Sequence, residues 1–155
     1  MKKYKVPLHK KIKYTLHKYT PRRLLLRLKQ WNASRWQYRL FKKYPTLFKQ
    51  TSLGKHESCM YWGIETGAGW SKLIDDMSNE LSHKFPHAEY AQIKEKFGIL
   101  RVYIDNVSAD QRDKLNSIIE RYEVLSSETC EVCGLKATRT QNDIGWISVT
   151  CNKCK

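Results

Sequence analysis

The sequence predicts an α+β protein: a small α-β-β-α core, a C-terminal zinc ribbon, and a basic helical arm at the N-terminus. Three observations carry this. Apolar residues recur at helical spacing in two segments that flank a pair of alternating, strand-like runs. Two Cys-x2-Cys pairs close the chain, at Cys130/Cys133 and Cys151/Cys154. Finally, residues 1–56 hold 17 Lys and Arg and no acid, whereas residues 57–155 hold 12 against 15 Asp and Glu, so the formal charge of +14 separates into +17 and −3. Composition therefore divides the chain into an arm and linker (1–56), a core (57–128) and a ribbon (129–155).

Residues 1–20 lack a sustained apolar face and read as extended chain or short helical pieces. Thr20-Pro21 is a helix start, with Thr at the N-cap and Pro in the first turn. That helix can run to about Tyr44, where Pro45 stops it. Leu24, Leu28 and Trp31 share one face, while Leu25, Trp36, Leu40 and Phe41 point elsewhere with basic residues between them. A lone helix that is apolar on several sides is poorly solvated and needs a partner, either the rest of the chain or another molecule. Residues 45–58 read as a linker.

In the core, a glycine-rich turn at GIETGAG leads into a helix on which Trp70, Leu73, Ile74, Met77, Leu81 and Phe85 recur, ended by Pro86. AEYAQIKEKFGILRVYID alternates in two runs about Lys96-Phe97-Gly98, the pattern of a hairpin. Ser108 with Gln111 makes a capping box, and Leu115, Ile118, Ile119, Tyr122 and Leu125 line the face of the helix that follows.

In the ribbon, two residues between cysteines let one tight turn aim both sulfurs at a point. Four thiolates, Cys130, Cys133, Cys151 and Cys154, can then surround one structural Zn2+. The β-prone runs LKATRT and WISVT, with Gly145 between them, return the second pair to the first as a hairpin. A redox motif would use a single pair beside a βαβ unit, and catalytic zinc keeps a coordination position open; neither matches a double pair of cysteines. Zinc binding would lower the formal charge from +14 to +12, because four thiolates and Zn2+ sum to −2.

The charge points to partners. Nine of the 18 aromatic residues fall in residues 1–56, interleaved with the cations. Cations meet phosphates and rings stack on bases, so nucleic acid, DNA or RNA, is the expected partner. The residues expected to carry this contact are Arg22, Arg23, Arg27, Lys29, Trp31, Arg35, Trp36, Arg39, Lys42 and Lys43. The apolar residues of the arm can equally pack on the body and leave only the cations outside. An acidic host protein is the alternative partner, which would make the chain a protein–protein inhibitor of a host enzyme or an anti-phage defence component. An anionic membrane surface is a third. In the ribbon, Lys136, Arg139, Lys153, Lys155 and Trp146 either contact nucleic acid or form an ordinary solvated face with a packed Trp.

No phosphate-binding glycine loop and no Ser-His-Asp or Cys-His set is evident, so a non-enzymatic protein is expected. Asp75 and Asp76 diverge on their helix and read as exposed acids balancing Lys72, and His83, His87 and Glu80 read as solvated. There is no apolar leader, and no run approaches the roughly 20 residues of a membrane span. With Cys59 left over from the paired cysteines, a reducing, cytoplasmic compartment is expected.

GAGWSKLIDDMSNEL, QIKEKFGILRVYID and the ending CEVCG…GW…C-x-x-C resemble a family of small phage and prophage proteins. The resemblance covers about residues 59–155. It rests on Gly67, Gly69 and Trp70 at a helix start, on Lys94 to Gly98 with Leu100, Arg101 and Tyr103 in a hairpin, and on Gly145-Trp146 before the second cysteine pair. Some relatives end in an altered knuckle, so the all-cysteine ending is a variation. The resemblance implies a phage origin, hence the host cytoplasm, a shared core, and a possible shared polar site at Lys94, Glu95, Lys96 and Arg101. It supplies no mechanism, and residues 1–56 lie outside it.

Overall fold

The structure, a computed structural model, describes residues 35–155. The expected helix start at Thr20 and the arm residues Arg22, Arg23, Arg27, Lys29 and Trp31 lie outside the described residues.

The fold is α+β. Helix α1 (Arg35–Lys43) is followed by single 3-10 turns at Lys49–Ser52 and Cys59–Trp62, and a third at Ala68–Trp70 opens helix α2 (Ser71–Lys84). Strands β1 (Glu89–Lys96) and β2 (Ile99–Asp105) form an antiparallel pair, helix α3 (Arg112–Ser127) follows, and β3 (Thr138–Gln141) with β4 (Ile147–Thr150) makes a second antiparallel pair. Register runs from Glu89 opposite Asp105 to Lys96 opposite Ile99, with one bulge between Tyr90 and Gln92. The two-residue turn Phe97-Gly98 has positive φ at both positions, 55° and 71°, the geometry that matches the twist of a hairpin.

The periodicity of the sequence survives as burial. Ile74, Met77 and Leu81 of α2, Ile93 of β1, Leu100, Val102 and Ile104 of β2, and Leu115, Ile118 and Tyr122 of α3 form one apolar cluster with Trp70. Helix α3 departs from expectation at its last turn. Leu125 is exposed, and the buried position is Ser126, whose Oγ accepts from the Leu100 amide at 2.9 Å. Helix α3 thus closes the free edge of β2, and that edge needs a small hydroxyl there rather than an aliphatic chain. The capping box does not form either. Ser108 precedes a 3-10 turn (Ala109–Gln111) with no side-chain bond, and its carbonyl accepts from the Gln111 amide instead.

The largest difference lies upstream. The compact body runs from Trp36 to Lys155, so the boundary expected after residue 56 falls inside packed structure. Leu40, Tyr44, Leu47 and Phe48 are buried in the core cluster, with Trp36 and Phe41 packed against it. The segment read as a linker is tied down by its backbone and polar groups. The Tyr90 amide donates to the Leu47 carbonyl at 2.7 Å, buried Gln50 donates to Asp105, and Ser58 donates to Gln50. The Gln37 side chain clamps the backbone of Ile64, donating to its carbonyl at 2.8 Å and accepting from its amide at 3.0 Å. The described part of the expected helix thus finds its apolar partner within the chain, through Trp36, Leu40 and Phe41.

Candidate metal centre

The four cysteines expected to bind metal converge. The sulfurs of Cys130, Cys133, Cys151 and Cys154 all lie within 4.8 Å of one another, and none is in a disulfide. Each pair sits on a tight turn. The Gly134 amide donates to the Cys130 carbonyl at 2.8 Å, with Gly134 at φ +77°, and the Cys154 amide donates to the Cys151 carbonyl at 2.9 Å. The β3–β4 pair brings the turns together, and the Glu131 amide donates to the Val149 carbonyl at 3.0 Å to lock the first turn to β4.

A tetrahedral zinc with bonds of about 2.3 Å has sulfur–sulfur edges of roughly 3.8 Å. The Cys133–Cys151 sulfur separation is 3.6 Å, so the donor set fits a closed four-sulfur shell. The protonation chemistry agrees. Burial resists ionisation of Cys130, yet the backbone amides of Cys151, Cys133 and Val132 outweigh it and draw the thiol down to about 6. Cys154 is pushed up to about 12 by its contacts with the Cys133 and Cys151 sulfurs. Sulfurs this crowded cannot all ionise without a cation, and a divalent ion supplies the charge that makes four thiolates tolerable.

What the sequence reading did not reach is how this centre is seated. Its first knuckle rests on the opening of α2. The Gly69 amide donates to the Glu131 carbonyl at 2.8 Å, the Gly67 amide to the Glu131 carboxylate at 2.8 Å, and the indole N–H of fully buried Trp70 to the Thr129 carbonyl at 2.7 Å. A Cβ on Gly69 would stand 2.2 Å from the Cys130 carbonyl oxygen, and one on Gly67 2.3 Å from that of Glu131. The backbones meet where no side chain fits. The turn of the first hairpin makes a second seat. A Cβ on Gly98 would lie 3.1 Å from Ile147 and 3.4 Å from Val149, and Arg139 Nε donates to the Phe97 carbonyl at 2.8 Å. The only local sign in the sequence was a pair of glycines set two apart before a tryptophan.

The remaining singled-out residues are distributed differently. Lys94 and Lys96 lie over the rings of Tyr103 and Phe97, each about 5.5 Å from the centroid. Glu95 accepts from the Gly98 amide at 2.6 Å, Arg101 pairs with Glu123, and Lys94 stands opposite Arg101 across the hairpin. Arg35, Arg39, Lys42 and Lys43 are exposed on α1, and half-buried Trp36 anchors that helix to the core. Lys43 is held by Asp75 at 2.7 Å, which leaves Asp76 alone to pair with Lys72. Lys49 pairs with Glu89 at 3.0 Å. His83 Nδ1 contacts the Asn79 carbonyl, while Glu80 binds Lys84 and Arg121. Trp146 is two-thirds exposed, so it is not a packed tryptophan of the ribbon.

Fold and site together define an α+β protein whose C-terminal four-cysteine cluster can hold one metal ion. No protein-family model, curated protein or solved structure matches the chain. Among the described residues no helix is long and apolar enough to cross a membrane.

Proposed function

We propose that the protein is a small, non-enzymatic nucleic-acid-binding accessory factor of the phage type its core motifs resemble, with one structural zinc ion in the ribbon. The observation that supports this reading is the segregation of charge: 17 cations in residues 1–56 without one acid, interleaved with nine aromatic rings of which the core takes up Trp36, Phe41, Tyr44 and Phe48. A solvated helical face mixes signs, whereas a phosphate-binding segment does not. Of the candidate cations Lys43 pairs with Asp75, so the contact falls on Arg22, Arg23, Arg27, Lys29, Arg39 and Lys42. Zinc pins the knuckle that α2 receives, so its role is to shape the body rather than to react.

The test is affinity capture of the full chain from lysate, with and without nuclease, followed by a salt titration of the retained nucleic acid. Recovery of nucleic acid that falls steeply with salt, and less steeply after Arg22, Arg23, Arg27 and Lys29 are changed to Gln, supports the reading. Recovery of one stoichiometric protein from nuclease-treated lysate, with no nucleic acid retained before treatment, overturns it in favour of a host-protein inhibitor.

A further inference from the structure

We propose that the solvent-facing side of the β1–β2 hairpin is a stacking surface for single-stranded nucleic acid, a second contact that rests on the nucleic-acid reading above and gives it a preferred strandedness. Strand alternation puts Ile93, Leu100, Val102 and Ile104 into the core and turns Lys94, Arg101 and Tyr103 to the other face, where Lys94 and Arg101 are half-buried and Tyr103 is exposed. Two rings are exposed at this hairpin, Tyr103 at 48% on that face and Phe97 at 62% in the turn. An aromatic ring left in water on an otherwise well-packed body offers a base-sized π face, and stacking tolerates any base.

Each ring has a cation beside it. Lys94 stands over Tyr103 and Lys96 over Phe97, each about 5.5 Å from the ring centroid. The ribbon adds a third cation, because Arg139 bonds the Phe97 carbonyl through Nε and so is held at the turn that carries that ring. None of the three has a carboxylate partner among the described residues, in contrast to Arg101, which Glu123 takes. Nearby acids are directed elsewhere: Glu95 to the Gly98 amide and Glu65 to Gln92. Rings flanked by unpaired cations are complementary to bases flanked by phosphates. Tyr103 lies four residues from Ile99 along β2, roughly 13 Å of strand, and Phe97 lies beyond it in the turn, so the rings serve separate bases of one extended strand. A duplex keeps its bases stacked on each other and cannot use either ring.

The test compares fluorescence polarisation of labelled oligothymidylate, oligouridylate and a duplex of the same length, using the full chain and a Tyr103→Thr/Phe97→Asn double variant. Thr suits a strand, and Asn tolerates the positive φ at position 97. Unchanged metal content and melting temperature establish that the variant is folded. The proposal expects single strands to lose about thirtyfold or more in affinity while the duplex is unaffected, and Tyr103→Trp to retain single-strand binding. Equal losses on single strand and duplex, or no loss on single strands, overturn this inference and leave the arm reading intact. Failure of the unaltered chain to bind any probe overturns both.

Discussion

The Gly69 amide donates to the Glu131 carbonyl at 2.8 Å across 62 residues of chain, and this bond sits where the metal knuckle meets the first turn of α2. The contact joins the ribbon to the core through backbone alone. Gly69→Ala is expected to force the two backbones apart, because the added carbon would meet the Cys130 carbonyl, which cannot rotate away. Overpacking of this kind costs about 1–3 kcal/mol. Denaturant unfolding measures it, with Ala68→Ser, at an exposed neighbour, as a near-neutral control.

Trp70→Phe keeps the apolar ring in the core but removes the donor to the Thr129 carbonyl. Leaving that acceptor unpaired is expected to cost about 1–3 kcal/mol. A shift in the unfolding midpoint with an unchanged circular dichroism spectrum is the expected result. No change in midpoint would show that water replaces the indole at that carbonyl.

Metal analysis is expected to find one zinc per chain, and Cys133→Ser to abolish it. Because the knuckle is seated on Gly67 and Gly69, zinc loss should also reach the core. Hydrogen exchange at the Gly67 and Gly69 amides is expected to accelerate on chelation, while the buried β2 amide of Leu100 stays protected by Ser126. Protection at both glycines that survives chelation would contradict a metal-dependent seat.

Truncation separates the composition boundary from the structural one. Deleting residues 1–34 is expected to leave a cooperatively folded body, since the compact unit begins at Trp36. Deleting residues 1–56 removes four buried core side chains, Leu40, Tyr44, Leu47 and Phe48, and the acceptor for the Tyr90 amide, and is expected to prevent folding. Two such large apolar side chains already contribute several kcal/mol, a large share of the stability of a domain of this size. Thermal melts of the two truncated chains decide it.

Asp75 carries part of the acid sensitivity. Burial works against its ionisation, but hydrogen bonds from Lys43 and Tyr44 prevail and hold its carboxyl below the ordinary carboxylate value. A carboxyl lowered on folding contributes stability that is complete above its unfolded value of roughly 4 and is lost as pH falls through the folded value. Asp75→Asn is therefore expected to lower the melting temperature modestly near neutrality, where the contribution is present but screened, and to matter less as pH falls, so that the acid limb of the profile is flatter.

Much of this molecule was legible without coordinates. Apolar spacing located α2, β1, β2 and α3, and cysteine spacing located the metal ligands, because these signals are local: helical or strand period, and the reach of one tight turn. Composition misled at residues 36–56. A run of cations looks like a detached arm, yet cations stay outside while Leu40, Tyr44, Leu47 and Phe48 of the same segment go in.

Spacing thus settled which segments coil, which extend and which four sulfurs meet. Only the tertiary structure decided that Gly67 and Gly69 exist to let a knuckle dock, that Ser126 serves the edge of β2, and that Lys43 belongs to Asp75. The reason is physical: a period is written in neighbouring residues, whereas a close approach or an ion pair depends on what arrives from far along the chain.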